Sequence, residues 1–418
     1  TGANNFAKST IALPADKIYF EAVAGNNTGG TLVAELGLVD VSTQTYAGVK
    51  NGVQCTNGDF SKIVNGTYTS LGGGGITSGT VIGLAYDLIN GLMTIYKNGT
   101  AVASNQSIPT TYTSVMAHAY RDVANDVGWE LNFGQRPFSY TPPTGFKALN
   151  TTNLSDPTVK DGGDYFNTVL WTGNDATRTI TGYGFQPDFI WTKGRNVAAG
   201  HRLSDAVRGA SGGTMLNLNT ASTAGENTDT AITGFASDGF TMNGTNHPNV
   251  SPYTYVGWGW KANGTGVSNT AGTITSTVSA NTTSGFSIVT YTGTGANATV
   301  GHGLGVAPSM IIVKRRNSTG SWDVYHASVG NTMALFLNQT ASQNTDIGYW
   351  NNTSPNSTVF TVGIGTEVNQ STGTYVAYCF AAISGYSAFG SYTGNGSADG
   401  PFVYCGFRPK YVLIKQSS

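Results

Sequence analysis

Charge is scarce in this chain. Of its 418 residues, 21 are lysine or arginine and 22 are aspartate or glutamate, so 10% are charged and the formal net charge is −1. Globular domains commonly carry about 25% charged residues. So few cations do not provide the positive charge that would attract nucleic acid or an anionic membrane surface. We therefore predict that neither is a partner.

Cysteine and long apolar runs are sparse too. Cys55, Cys379 and Cys405 cannot all pair within one chain, and their spacing fits no zinc motif. No apolar run approaches the roughly 20 residues of a membrane-spanning helix. The sequence predicts free thiols, no metal site, no cofactor and no membrane insertion.

Glycine and strand-forming residues are abundant instead. The chain has 57 glycines, and 39% hydrophobic with 11% aromatic residues can build cores. Thr, Val and Tyr favour strands, whereas Gly and Asn favour tight turns. We predict an all-β chain made of β-sandwich domains.

An ordered set of strand and turn motifs occupies residues 1–150. Residues 17–23 alternate as a strand, and residues 81–99 give two strands around Asn90-Gly91, a dipeptide suited to a type I′ hairpin turn. Leu-Asn-Phe-Gly at 131–134 and Pro-Pro-Thr-Gly-Phe at 142–146 follow. Together these motifs resemble the SPRY domain, a concanavalin-like β-sandwich.

The SPRY resemblance implies a binding module that recognises its ligand through loops at one end of the sandwich, and it implies no catalytic set. A polar gap between predicted strands supplies the contact candidates Tyr120, Arg121 and Asp122.

One stretch of the chain occurs three times, at residues 168–196, 288–317 and 389–418. Each copy has an aromatic-Thr-Gly turn, a glycine-rich gap, a proline, a hydrophobic run and a lysine. The first two copies match over about 120 residues, which is too long for a solenoid repeat of roughly 20–50 residues. We predict tandem β-sandwich-type repeat domains with their own cores at 151–270 and 271–385. Residues 386–418 would begin a third, truncated repeat, so we expect the array to continue beyond the given sequence.

The copies can be read against each other. Trp258 and Trp260 of the first copy correspond to Tyr378 and Phe380 of the second, so aromatic bulk is kept while its chemistry changes. This pattern is typical of a core face rather than a sugar-stacking platform.

A lysine follows a hydrophobic strand in every copy, at Lys193, Lys314 and Lys415. It either contacts a repeated anion or partner, or blunts a strand edge; we favour the second interpretation.

Residues unique to one copy are the better candidates for specific contacts. The first copy has His201 and Arg202, and the second has the aromatic pair Tyr349 and Trp350 in a polar loop. An exposed aromatic pair would suit the apolar face of a sugar, whereas local packing of the loop is the alternative interpretation.

Catalytic motifs are missing from the sequence. Its five histidines fit no HExxH or two-His-carboxylate spacing, and no Gly-x-Ser-x-Gly elbow occurs. We predict that the chain is not an enzyme and that it has no catalytic residues.

The repeats, together with the junction at residues 144–150, resemble modules of uncharacterised function in virion proteins of tailed phages, where a SPRY-like domain precedes them. This rests on the Tyr-Thr-Gly turn, the Pro-x-hydrophobic-Lys pattern and Trp-Asp-Val-Tyr-His at 322–326. It implies a tail fibre, spike or capsid appendage at the virion surface. It also implies a homotrimer that contacts other virion proteins and binds host surface glycan multivalently.

Three alternatives stay open at this point. A cellular surface adhesin or filament subunit would carry a signal peptide on its native chain. A polysaccharide depolymerase spike would shorten host polysaccharide. A capsid decoration protein without a receptor role would affect particle stability but not adsorption.

Overall fold

The structure, a computed structural model, describes residues 5–8, 16–25, 32–39, 49–56, 59–72, 76–110, 114–121, 129–153, 157–244 and 246–417. Its regular elements are almost all strands, which confirms the predicted all-β class. The chain divides into two compact units, Thr1–Asp156 and Pro157–Ser418.

The first unit contains twelve strands among its described residues. In chain order these are β1 (Asn5–Lys8), β2 (Lys17–Ala24), β3 (Leu32–Val39), β4 (Asn51–Thr56), β5 (Phe60–Val64), β6 (Thr67–Ser70), β7 (Val81–Asp87), β8 (Leu92–Lys97), β9 (Thr100–Ser107), β10 (Ser114–Arg121), β11 (Trp129–Asn132) and β12 (Lys147–Ala148). A 3-10 turn, Thr151–Asn153, follows.

These strands form the β-sandwich that the SPRY resemblance predicts. One six-stranded sheet has the order β1-β10-β3-β4-β5-β6, and the other has β11-β2-β7-β8-β9 with β12 beside β2. A single hydrophobic cluster takes Phe20 and Leu84 from one sheet and Leu36 and Val53 from the other. The two sheets therefore face each other across one core.

Two details of this unit differ from the sequence prediction. The hairpin around Asn90-Gly91 exists, but only Gly91 has positive φ, whereas a type I′ turn needs it at both positions. Asn90 instead donates its N–H to the Asp87 carboxylate (3.0 Å). Tyr120 and Arg121 end strand β10, paired with β3, and so are not loop residues. Asp122 lies outside the described residues.

The second unit holds the three copies. Its strands are β13 (Phe166–Thr172), β14 (Arg178–Thr181), β15 (Phe189–Gly194), β16 (Arg202–Asp205), β17 (Ala210–Ser211), β18 (Thr214–Met215), β19 (Ile232–Ala236), β20 (Gly239–Met242), β21 (Thr254–Trp260), β22 (Val267–Asn269), β23 (Ser276–Asn281), β24 (Phe286–Thr292), β25 (Ala298–Gly301), β26 (Met310–Arg315), β27 (Trp322–His326), β28 (Met333–Phe336), β29 (Asn344–Thr345), β30 (Val359–Val362) and β31 (Thr374–Phe380). A 3-10 turn, Gly162–Asp164, and two short helices, α1 (Ile347–Trp350) and α2 (Thr366–Asn369), complete it.

The first two copies repeat one topology. The main sheet of the first copy has the order β13-β21-β15-β16, and the larger sheet of the second contains the matching run β24-β31-β26-β27. Each copy adds a small sheet, β14-β20-β19 or β25-β30. The third copy forms no strand within residues 388–417. In the second copy, by contrast, Tyr291 pairs with Tyr375.

Several of the main strands bury both of their faces. On β31, Tyr375 and Cys379 point into the second copy's own core, whereas Val376 and Tyr378 point into a cluster shared between copies. A strand covered on both sides reads as a continuous apolar run, as Tyr-Val-Ala-Tyr-Cys-Phe does. Each full copy thus has its own core, and a further cluster, which we call the shared core, joins the copies.

Trp258 and Trp260 line that shared core, which confirms the prediction that they serve packing. Trp260 is buried against Phe286 and Phe380 of the second copy, with ring centroids 6.3 Å away in both cases.

Candidate functional site

The aromatic-Thr-Gly turn is held by equivalent bonds in both full copies. The Trp171 indole donates a hydrogen bond to the carbonyl of Pro248 (2.9 Å), and the Tyr291 hydroxyl donates one to the carbonyl of Val368 (2.7 Å). These aromatic side chains are buried. The motif that recurs most clearly in the sequence is therefore architectural.

A buried asparagine fixes the same turn, and sequence comparison missed it. The Asn369 amide donates to the carbonyls of Ala296 (2.6 Å) and Gly363 (2.8 Å), and its oxygen accepts the Thr294 N–H (2.8 Å). Asn249 of the first copy makes corresponding bonds, to the carbonyls of Ala176 and Gly244 and from the N–H of Asn174. Aligned positions 249 and 369 were the available signal, but asparagine is too common here to stand out.

The recurring lysine closes a hairpin loop. Lys193 donates to the carbonyl of Ala199, and Lys314 donates to the carbonyl of Gly320 (3.0 Å), in each case six residues further along. Lys314 is buried, and burial lowers its pKa to about 8. The interpretation as an edge-blunting charge is therefore wrong, because both ammonium groups are turned onto backbone carbonyls.

A buried ionic network joins the first copy to the second. The Arg208 guanidinium, with a fully buried side chain, donates to the Asp205 carboxylate (2.5 Å) and to the Tyr378 hydroxyl (3.2 Å). The Tyr378 hydroxyl in turn donates to Asp205 (2.8 Å). Burial opposes the charge on Arg208, but Asp205, Tyr378 and Glu226 together outweigh it and raise the Arg208 pKa. The network is thus both charged and shared between two copies.

Residues 219–226 of the first copy, which we call the docking segment, lie along the second copy. Glu226 binds the Arg316 guanidinium through two bonds of 2.9 Å, and its N–H donates to the Arg316 carbonyl (2.7 Å). The Trp322 indole donates to the carbonyl of Asn219 (3.1 Å), and Lys314 donates to that of Thr223 (3.0 Å). Side-chain and backbone bonds together fix the register of this contact.

A shallow, open groove lies on the second copy and is lined mainly by hydroxyl side chains. Its lining comprises Ser268, Thr275, Ser276, Thr277, Thr290, Tyr291, Thr292, Arg316 and Thr374. Several of these hydroxyls are exposed, whereas the Tyr291 ring is buried. The groove offers hydrogen bonds from its hydroxyl side chains but no aromatic face for stacking, and its one guanidinium, Arg316, is bound by Glu226.

Comparison with known proteins assigns the repeat-bearing region to a family. The profile of the domain of unknown function DUF7483 matches residues 161–418. The chain belongs to the DUF7483 family. No curated protein matches its sequence.

Solved structures that the chain matches include a human SPRY domain, at 15% identity and a TM-score of 0.22, covering 33% of this chain and 89% of that one. The TRIM65 PSpry domain matches at 12% identity and a TM-score of 0.21, over 30% of this chain and 67% of its own. A sialidase matches at 15% identity and a TM-score of 0.22 over 37% of this chain, which is only 12% of the sialidase.

The candidate residues of the first copy in this DUF7483 chain are engaged within the copy. His201 accepts a hydrogen bond from the Trp191 indole (2.7 Å), and burial together with Lys193 lowers its pKa to about 4. Arg202 lies on β16 within 3.5 Å of the Asp229 carboxylate. The structure does not bring these two side chains together with Tyr349 and Trp350, the candidates of the second copy.

The aromatic pair of the second copy is not an exposed platform, so that prediction is wrong. Trp350 ends α1 with 2% of its surface exposed, and its indole donates to the carbonyl of Met333 (2.9 Å). Tyr349 is half-buried and packs edge-on against Phe336. The polar sequence around the pair misled the prediction, because the short helix turns its aromatic side toward β28.

Neither a metal-binding cluster nor a membrane-spanning helix occurs within the described ranges. No three His, Cys, Asp or Glu side chains there lie close enough to hold a metal ion. None of the helices in that part of the chain has the length and apolarity that a membrane crossing requires.

Proposed function

We propose that this DUF7483 protein is a structural and adhesive component of a tailed-phage virion. It would form part of a tail fibre, spike or capsid appendage and bind host surface glycans multivalently. The observation that carries the proposal is the interlocking of its copies, which share one aromatic core and one buried ionic network.

Such interlocking suits a load-bearing part of a particle. Two copies joined only by a flexible linker could move independently, whereas the shared core and the docking segment fix one copy against the other. A fixed spacing between equivalent surfaces favours multivalent attachment, because each further contact then forms at high effective concentration.

The hydroxyl-lined groove supports a glycan as the ligand. Thr277 and Thr290 are directly paired across β23 and β24, and Arg316 lies at the same groove. Hydroxyl side chains donate and accept hydrogen bonds, as sugar hydroxyls do. The groove therefore replaces the Tyr349 and Trp350 pair as the proposed contact surface.

The oligomer and its location follow the phage resemblance. We propose a homotrimer that contacts other virion proteins at the virion surface. Sedimentation of the purified chain tests the trimer, and gold-labelled antibodies viewed on phage particles by electron microscopy test the location. Label confined to capsid interiors or to host cytosol would overturn the proposed function.

A glycan array tests the ligand. The wild-type chain should bind a subset of host surface glycans, and Thr277→Val with Thr290→Val should weaken that binding at least about 10-fold by removing two hydrogen-bonding hydroxyls. Thr282→Val, at an exposed position outside the groove, is the control. Equal binding by all three proteins would exclude the groove as the contact surface.

A further inference from the structure

Aligned residues make equivalent contacts between different pairs of copies. Phe189 of the first copy packs against Phe286 and Tyr378 of the second, with ring centroids 5.9 and 4.4 Å apart. Tyr411, which aligns with Phe189, belongs to the third copy and packs on the first. Its neighbours there are the residues that align with Phe286 and Tyr378, namely Phe166 and Trp258, both at 5.8 Å.

A second type of contact repeats as well. The docking segment of the first copy places the Thr223 carbonyl on Lys314 of the second (3.0 Å). The corresponding part of the second copy places the Ala341 carbonyl on Lys415 of the third (2.6 Å). The backbone bond from Glu226 to Arg316 likewise has a counterpart from Gln343 to Ser417 (3.1 Å).

These contacts share one direction: first copy to second, second to third, and third back to first. A head-to-tail contact that repeats with constant rotation closes into a ring when the rotation fits. Because Tyr411 of the third copy reaches the first, the ring closes after three copies.

The last contact of that ring is missing on the first copy. Lys193 is half-buried, whereas its equivalent Lys314 is completely covered by the docking segment. Arg195 is exposed and forms no ion pair with the described residues, whereas its equivalent Arg316 holds Glu226. The first copy thus presents the same edge as the second copy, but no docking segment among the described residues covers it.

The third copy exposes apolar side chains that its counterparts bury. Val412 and Ile414 are 63% and 65% exposed. The aligned residues Ile311 and Val313 are completely buried in the second copy's own core. The segment of the third copy that aligns with β26 therefore forms no strand within the described residues, and no small sheet covers it there.

We propose that the edge formed by Lys193, Arg195 and Ala199, which we call the acceptor edge, is a binding site for a docking segment of the kind that residues 219–226 form. In that contact Lys193 meets a carbonyl of the segment, and Arg195 pairs with a carboxylate at the position of Glu226. Three copies then form a closed ring around the shared core. This inference does not depend on the proposed virion role.

Extension of the chain tests the ring. Ser418 aligns with Asn196, so residues 197–262 are appended after Ser418 to complete the third copy with a docking segment that carries glutamate. Hydrogen exchange of residues 193–200 is compared between this extended chain and the chain of residues 1–418. We expect slower exchange of that stretch in the extended chain.

A matched extension isolates the ion pair. Appending residues 318–385 completes the third copy with glutamine, Gln343, at the same position. Arg195→Ala should lower the Tm of the glutamate-bearing chain by about 2 °C more than that of residues 1–418. The same substitution should have no extra effect in the glutamine-bearing chain. If the appended residues are themselves protected from exchange and residues 193–200 nevertheless exchange at one rate in all three chains, the proposal is wrong.

Discussion

At the scale of single residues, the polar groups inside the second unit differ in how well they are satisfied. Asp205 and Arg208 form an ion pair, whereas neither carboxylate oxygen of Asp323 has a hydrogen-bond partner in the structure. Asp323 is buried on β27, and burial, with a further contribution from Glu367, raises its pKa to about 8 against the pull of Lys314. Near neutral pH the folded chain therefore holds Asp323 as a neutral acid.

Asp323→Asn should stabilise the protein increasingly as pH rises from 5 to 8. The folded state keeps a proton on Asp323 that the unfolded state has already released, so wild-type stability falls across this range, by at most about 1.4 kcal/mol per pH unit. Asparagine keeps the shape and never ionises. Urea unfolding at each pH measures the difference, with Asp399→Asn at an exposed position as control. A difference that stays constant from pH 5 to 8 would contradict the assignment.

Arg208→Met should destabilise the protein by about 3–5 kcal/mol, because it leaves the buried Asp205 carboxylate without its counter-charge. Arg408→Met changes an exposed arginine and should stay within about 0.5 kcal/mol of wild type. Thermal and denaturant unfolding both measure this. Equal effects of the two substitutions would mean that the network does not hold the copies together.

At the scale of elements, the aromatic-Thr-Gly turn depends on close backbone approach. A Cβ on Gly173 would lie 2.2 Å from the Val250 carbonyl oxygen, and one on Gly293 would lie 2.3 Å from that of Gln370. Gly394 of the third copy has nothing within 4 Å of that position. The same motif is therefore structurally demanding in two copies and unconstrained in the third.

Gly293→Ala should cost about 1–3 kcal/mol, since the added methyl group forces the turn away from the segment that holds Asn369. Gly394→Ala is the matched control and should change stability by less than about 0.5 kcal/mol. The midpoints of urea denaturation compare the two variants. A large effect at Gly394 would show that the third copy is also packed at its turn.

Sequence alone predicts these elements better than the contacts they make with residues distant in the chain. The period of the copies, the strands and the packing role of Trp258 and Trp260 all follow from alternation and internal comparison. The asparagine clamp does not, because Asn369 bonds to Ala296, which is 73 residues away. Nor does the burial of Trp350, since the residues that follow it, Asn351 and Asn352, are polar, whereas Trp350 itself packs into the second copy's core.

At the scale of the molecule, the second unit is organised around its shared core. The sequence predicted separate repeat domains, but it could not show that their main sheets bury a second face against other copies. The residues that do so, such as Tyr378, look in the sequence like ordinary core positions of one domain. Their role appears only when neighbouring copies are placed together.

Tyr411→Ala tests how much the third copy contributes to that core. The ring packs on Phe166, Trp258 and Trp260 of the first copy, so its loss should cost about 2–4 kcal/mol. Phe402→Ala removes an aromatic ring that is 74% exposed and should be nearly neutral. Calorimetry of the second unit's transition in the full chain provides the measurement. Equal transitions for the two variants would place the third copy outside the folded core.

The Asp205–Arg208–Tyr378 network also bears on how such an array avoids misfolding. The position of Tyr378 is occupied by tryptophan in the first copy, Trp258, which has no hydroxyl to offer a buried arginine. His326 and Val329 replace Asp205 and Arg208 in the second copy. A copy packed against the wrong neighbour would therefore bury a charge without its counter-charge. This costs several kcal/mol and so discriminates between the similar surfaces of the copies. The sequence differences among the copies thus favour the native neighbour of each copy over a similar one. They also disfavour exchange of strands between chains during synthesis.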